Sequence, residues 1–192
     1  MRRIPILSTL LVVLAIAGMI ALGIWQLRRA GWKDALLAQY AANAHLPEIA
    51  YPIPPRPDES LLYRPAHAVC TAPVSWVMRA GHSADGQTGW RHIALCRSGV
   101  AADLGWSTRS VAPVGYAGGP IRGALDWDPD HVFLIVADQP APGLVVSARP
   151  SPANIPNNHR GYAVQWFLFA GVAALIYALA LRQKLARKAL DR

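Results

Sequence analysis

Two stretches of this chain carry no ionisable side chain: no Asp, Glu, Lys, Arg or His occurs from Ile4 to Leu27 or from Gly161 to Leu181, runs of 24 and 21 residues. At about 1.5 Å rise per residue each helix would cross a hydrocarbon layer of about 30 Å, the first with length left for tilt. Two transmembrane helices are therefore predicted over residues 4–27 and 161–181. A cleaved leader is the alternative for the first, because Arg2 and Arg3 precede it and Ala15-Ile16-Ala17 resembles a cleavage triplet. Leader cores, however, run only about 7–15 apolar residues. This one continues past the triplet to Trp25, a residue suited to the membrane interface.

Basic residues mark the outer flanks of both spans: Arg2 and Arg3 before the first, and Arg182, Lys184, Arg187, Lys188 and Arg192 after the second. The positive-inside rule then places residues 1–3 and the basic tail 182–192 in the cytoplasm and residues 28–160 outside it. Most of the formal charge of +8 lies in these two tails, so the basic balance reads as topology and not as a nucleic-acid footprint. With only three residues before the first span, the sequence favours a bacterial inner membrane and a periplasmic central region over an organelle. Arg28, Arg29 and Lys33 lie on the wrong side for the rule, which invites a second explanation for them.

The central 133 residues suffice for one compact domain. Trp32, Leu36, Leu37 and Tyr40 keep near-helical spacing, so an interfacial helix is predicted over 28–46. A Pro-rich strap over 47–57 follows, with polyproline character in Tyr51–Pro57 and the role of a spacer. Within 61–150, short β-type runs recur at Leu61–Thr71, Val74–Ala80, Trp90–Arg97, Val100–Trp106, His131–Ala137 and Leu144–Ala148. Gly81–Gly89 and Asp126–Asp130 read as connections. The predicted architecture is an α+β membrane protein, with two antiparallel transmembrane helices and a small antiparallel β-sheet or barrel-like extracytoplasmic domain.

Cys70 and Cys96 fall in the segment assigned to the periplasm, where a disulfide is the leading reading. A fold-back about a turn near Ser83 would set position 70 opposite position 96, although Pro73 interferes. The alternative is a copper or zinc site built from His67, Cys70, His92 and Cys96. Alternation along a strand weakens it, since His92 and Cys96 share a face while His67 and Cys70 do not. No phosphate-binding Gly loop, nucleophile elbow or metalloprotease motif occurs, so an enzyme is not expected. Asp126, Asp128 and Asp130 alternate as in a calcium loop but lack its glycine and final Glu, and read as a solvated turn.

Folding the spans antiparallel brings the end of the first beside the start of the second. Trp25, Arg28 or Arg29, and Trp32 share one helical face; His159, Tyr162 and Trp166 share another, behind the helix-starting Pro156-Asn157-Asn158. These faces are expected to meet. A histidine in the first turn of a helix sits at the positive dipole end, which suits a neutral imidazole with a lone pair for a metal. Haem iron takes such a ligand. The aromatic rings would pack on a porphyrin, and Arg28, Arg29, Lys33 and Arg160 would pair with its propionates. Ordinary interfacial anchoring explains the same residue types. Ala17, Ala21, Ala170, Ala174 and Ala178 are small enough to let helices approach.

Gly23-Ile24-Trp25-Gln26-Leu27-Arg28-Arg29 with Trp32-Lys33, and Asn157-Asn158-His159-Arg160-Gly161-Tyr162-Ala163-Val164-Gln165-Trp166-Phe167, resemble the two span-flanking motifs of the Surfeit locus protein one family of cytochrome c oxidase assembly factors. Asp103-Leu104-Gly105-Trp106 is similar to that family's central Gly-Trp element, without its neighbouring Arg and Pro, and Arg160 stands where Leu is commoner. The resemblance implies a non-enzymatic protein that binds or hands over haem a during maturation of oxidase subunit I, with haem A synthase as a further partner. It also implies His159 as axial ligand of the haem iron, with Trp25, Gln26, Arg28, Tyr162 and Trp166 in pocket or packing roles; Arg29 joins the cofactor-binding set as a propionate partner. A copper-handling metallochaperone and a cofactor-free membrane scaffold are the alternatives from other classes.

Overall fold

The computed structural model describes residues 5–72 and 74–190. Residues 1–4, Pro73, Asp191 and Arg192 lie outside the described residues, as do the flanking-charge reading at Arg2, Arg3 and Arg192 and the expected interference of Pro73. Two units are present, one of residues 1–36 with 156–192 and one of Leu37–Ile155.

The first unit holds the helices α1 (Ile6–Asn43, of which residues through Leu36 belong here) and α2 (His159–Leu190). Both contain windows long and apolar enough to span a membrane, and those windows are almost entirely uncovered by the protein itself. That is the expected surface of a chain whose solvent is lipid, and it fits a membrane protein.

The second unit is a seven-stranded sheet: β1 (Ile49–Ala50), β2 (Pro65–Cys70), β3 (Val74–His82), β4 (Thr88–Cys96), β5 (Ala101–Ser107), β6 (Gly119–Asp128) and β7 (Val132–Ala137), in the order β1-β2-β6-β7-β5-β4-β3. The class is α+β, but the sheet is mixed. The antiparallel expectation fails at β1–β2 and β5–β7, which pair in parallel. The second of these arises because β7 enters between β6 and β5, antiparallel to one and parallel to the other. β7 is apolar throughout, with Phe133, Leu134, Ile135 and Val136 all buried, as a central strand covered on both faces must be. Leu134 of β7 packs with Ile93 and Ala101, with Val77 and Leu95 against them.

Three connections of the sequence reading become structure. β6, the longest strand, contains Asp126 and Asp128, which the sequence assigned to a turn. Asp128 is instead buried and bonded to Arg79 of β3, while Arg79 also reaches Asp130 at 2.5 Å. The strap over 47–57 is more than a spacer: Ile49 and Ala50 pair with Ala66 and His67. Tyr51 is buried there and donates its hydroxyl to the Phe133 carbonyl at 2.7 Å. The Gly81–Gly89 connection shrinks to Ser83–Gln87 because β3 and β4 pair out to His82 and Thr88. Leu144–Ala148, in contrast, is not a strand and makes two isolated bridges, Trp106–Val145 and Ser83–Ser147.

Asp103-Leu104-Gly105-Trp106 now has a structural role. Asp103 is fully buried and accepts from Arg91 Nε at 2.5 Å, Ser147 Oγ at 2.8 Å and the Gly105 amide at 3.0 Å. Gly105 has φ of +130° and sits where a Cβ would lie 2.7 Å from the Val145 carbonyl, so only glycine fits. The register of β4 against β5 shifts at this point. Trp106 lies past the shift, buried, and donates its indole N–H to the Gly81 carbonyl at 3.2 Å.

β2 and β4 are not neighbours in the sheet, yet the Cys70 and Cys96 sulfurs are bonded, with Cα atoms 5.2 Å apart. The sheet therefore curls until these two strand ends touch, with Arg97 N–H donating to the Thr71 carbonyl at 3.0 Å beside the bridge. The fold-back registry is corrected: Cys96 pairs with Val74 and Cys70 with Gly119, because the β3–β4 hairpin turns about Asp85 and not Ser83.

The bridge closes a sequence separation of 26, for which loop-closure entropy amounts to about 3.5 kcal/mol. Replacing both cysteines by serine is expected to lower stability by about 2–4 kcal/mol in denaturant unfolding followed by tryptophan fluorescence. The wild-type protein under reductant should show the same loss. Asp128 supplies a second expectation. Burial alone would raise its pKa, but the bonds from Arg79, from the Asp130 and His131 amides and from the His131 ring outweigh burial and hold it below 3.8. A depressed folded pKa contributes stability above the unfolded value that is lost as pH falls through the folded one. Asp128→Asn should therefore cost stability at neutral pH, and its difference from wild type should shrink as the pH falls below the ordinary carboxylate range.

Candidate functional site

In lipid a helix that is apolar on every side has no hydrophobic stripe to bury, so helices meet where side chains are small or can hydrogen-bond. The covered positions of α1 step by three and four from Thr9 through Val12, Ile16, Met19, Gly23 and Gln26 to Ala30. Those of α2 do the same: His159, Ala163, Trp166, Ala170, Ala173 and Tyr177. This is the seam of an antiparallel pair with coiled-coil spacing. Ala30, Ala163 and Ala170 are buried along it. At Gly23 a Cβ would lie 2.6 Å from the Phe167 ring, so the absent side chain makes the room. Of the small residues picked from sequence only Ala170 lies on the seam; Ala17, Ala21, Ala174 and Ala178 are exposed, because they sit on other faces of their helices.

Polar bonds fasten the seam at both ends. Thr9 Oγ1 and Tyr177 Oη are 2.5 Å apart. At the other end the start of α2 is tied to α1 by several contacts. Asn157 Nδ2 donates to the Ala30 carbonyl at 3.2 Å and to Asp34 Oδ1 at 2.7 Å. Arg160 reaches Asp34 Oδ2 at 2.7 Å, and Lys33 Nζ donates to the Pro156 carbonyl at 2.7 Å. The Arg160–Asp34 pair is solvent-facing and is worth about 0–1 kcal/mol. Its value lies in fixing where the first turn of α2 sits. In that turn His159 Nδ1 lies 2.7 Å from Gln26 Oε1.

The residues expected to share a site are thus sorted by the seam. His159 and Gln26 are brought together. Trp166 is half-buried on the seam and meets Phe169 edge-on, with ring centroids 6.1 Å apart. Trp25, Arg28, Arg29, Trp32 and Tyr162 are exposed, so the Trp25–Trp32 face does not form the seam with the His159 face. Gly23, Gln26 and Ala30 do so instead. Lys33 and Arg160 are engaged in interhelical bonds. Arg28 and Arg29 make no ion pair among the described residues, and the Arg29 guanidinium lies 4.0 Å over the Trp32 ring. Asp34, whose carboxylate holds both Asn157 and Arg160, was not singled out in sequence. Its spacing of four from Ala30 on the seam was the available signal.

The copper site built on His67, Cys70, His92 and Cys96 does not form. The two sulfurs are bonded to each other, and the described residues hold no free thiol. His67 is half-exposed beside Glu48 at 3.5 Å, while His92 is fully buried with Nε2 at 2.8 Å from Ser107 Oγ. Burial pushes the His92 imidazole below its ordinary value against the pull of Asp103. Asp128, Asp130 and His131 have ligand atoms close together, but Arg79 occupies both carboxylates.

The SURF1 family model matches residues 13–130 and 101–171, which together take in most of the seam, the first turn of α2 and the β unit. The chain belongs to the SURF1 family. SURF1 proteins are oxidase assembly factors, so the polar end of the seam and the exposed aromatic and basic residues beside it are parts of an assembly protein. No curated protein and no solved structure matches the chain.

The close approach at Gly23 has a matched control in Gly18, around which nothing lies within 4 Å of an added Cβ. Gly23→Leu is expected to destabilise the helix pair by about 1–3 kcal/mol, as overpacking does. Gly18→Leu should be neutral or slightly stabilising, because leucine is the better helix former. Unfolding of both variants in detergent micelles, followed by circular dichroism, checks the difference.

Proposed function

We propose that this SURF1 protein is a non-enzymatic carrier in cytochrome c oxidase assembly, whose cargo is haem a on its way to oxidase subunit I. The observation that carries the reading is the position of His159. It stands in the first turn of α2, fixed at the seam, with one imidazole nitrogen bonded to Gln26 and the other left for a ligand. The residue types exposed on these two helix ends have chemistry that suits a haem. Arg28 and Arg29 are cations without a carboxylate partner among the described residues, suited to propionates. Trp25, Tyr162 and Trp166 offer ring surface for a porphyrin. Lys33 and Arg160, bonded to the seam, position the helix start and leave the propionates to Arg28 and Arg29.

In this reading the protein sits in a bacterial inner membrane with both termini cytoplasmic and the β unit periplasmic. Haem A synthase is the upstream partner and nascent subunit I the recipient. A carrier must release what it holds, and a single axial imidazole suits release better than two would. The β unit, with its disulfide, suits an oxidising compartment.

The test is to purify the protein from cells that make haem A and record its absorption spectrum. Wild type is expected to carry haem absorption that His159→Ala abolishes, with Arg28→Ala/Arg29→Ala lowering it in part. Equal spectra for wild type and His159→Ala would remove His159 as ligand. A wild type with no copurified haem would favour the scaffold reading.

A further inference from the structure

The 2.7 Å contact between His159 Nδ1 and Gln26 Oε1 fixes more than a ring orientation. An amide oxygen carries no hydrogen and can only accept, so the hydrogen of the bond belongs to Nδ1. A neutral imidazole protonated at Nδ1 has its one lone pair on Nε2. The Asp34 carboxylate, about two turns further along α1, is held by Asn157 and Arg160 and does not compete for the ring. Gln26 in turn cannot drift away from His159: its helix face is pinned by the close approach at Gly23 on one side and by the Asn157 bond to the Ala30 carbonyl on the other.

We infer that Gln26 is the positioning residue of the site: its side-chain carbonyl selects the Nδ1–H tautomer of His159 and so presents Nε2 as the nitrogen that ligates a haem iron. This rests on the carrier reading of His159 for its purpose, but the tautomer itself is a property of the cargo-free protein. Groups that hold the far nitrogen of a ligating histidine fix its tautomer and raise its basicity, and losing them commonly costs about 10- to 100-fold in metal affinity. A neutral amide does this without the stronger electron donation of a carboxylate.

The experiment has two readouts. In the cargo-free, full-length protein in micelles, with histidine labelled in its ring nitrogens, nitrogen-proton correlation spectra report which ring nitrogen of His159 carries hydrogen; His159→Ala assigns the signal. Wild type is expected to show Nδ1–H with Nε2 bare. Gln26→Leu should lose that preference, and Gln26→Glu, which restores an acceptor oxygen, should regain it. A wild-type spectrum with the hydrogen on Nε2, or a Gln26→Leu spectrum like wild type, overturns the assignment. The second readout is haem retained per protein. Gln26→Leu is expected to lower it about 10-fold or more while Gln26→Glu keeps it and shifts the absorption bands. Retention and bands unchanged in both variants would overturn the role toward iron. If wild type retains no haem, the carrier reading fails while the nitrogen spectra still decide the Gln26 assignment.

Discussion

Close helix approach at Gly23, Ala30, Ala163 and Ala170 is the constraint on which the functional end of this protein depends. Lipid tails are as apolar as the leucines they touch, so nothing pushes two such helices together by excluding water. What remains is van der Waals contact, which needs small side chains, and hydrogen bonds, which need polar groups within reach. The seam has both, with Thr9–Tyr177 at one end and the Gln26, Ala30, Lys33 and Asp34 contacts at the other. A hydrogen bond of this kind contributes about 1 kcal/mol, so no one of them holds the helices. Together they fix the register, and the register decides which residue stands beside His159.

The same logic explains what the sequence revealed and what it hid. The helices themselves are legible as gaps in the charge pattern. Their packing face is not, because a helix that is greasy all round has no amphipathic signal to mark the side that meets a neighbour. Attention then falls on conspicuous residues such as Trp25, Arg28 and Trp32, which turn out to be exposed, while the contact is made by Gly23, Gln26 and Ala30. In the β unit the apolar runs of β5 and β7 were readable. β6 was not, since Asp126 and Asp128 carry a turn's composition and only the arrival of Arg91 and Arg79 from other strands makes them tolerable inside a sheet. Parallel pairing of β5 with β7 was equally hidden, because it joins strands with β6 between them in sequence.

Those buried charges also show how the β unit is kept in one arrangement. Arg79 and Arg91 each bind two aspartates, and Asp103 is bonded by an arginine, a serine and a backbone amide at once. Buried ion pairs add little net stability over apolar packing, but breaking one leaves an uncompensated charge. The penalty falls on misregistered sheets, where an aspartate would lie away from its arginine. The disulfide acts differently: it restricts the unfolded chain and holds the ends of β2 and β4 together where no ladder joins them.

Gln26 bears on why a carrier would use this arrangement and not the histidine–carboxylate pair common at permanent metal centres. A carboxylate on the far nitrogen pulls the ring toward imidazolate and strengthens its bond to iron. An amide orients the ring and donates to it less strongly than a carboxylate would. Asp34 shows that a carboxylate was available on the same helix, and Asn157 and Arg160 keep it occupied elsewhere. Holding the acidic group away from His159 while giving the ring a neutral acceptor yields a nitrogen that is aimed by Gln26 and strengthened less than a carboxylate would strengthen it. In the carrier role proposed above, a site built that way would bind its cargo with little reorganisation and release it to a recipient offering a stronger ligand set.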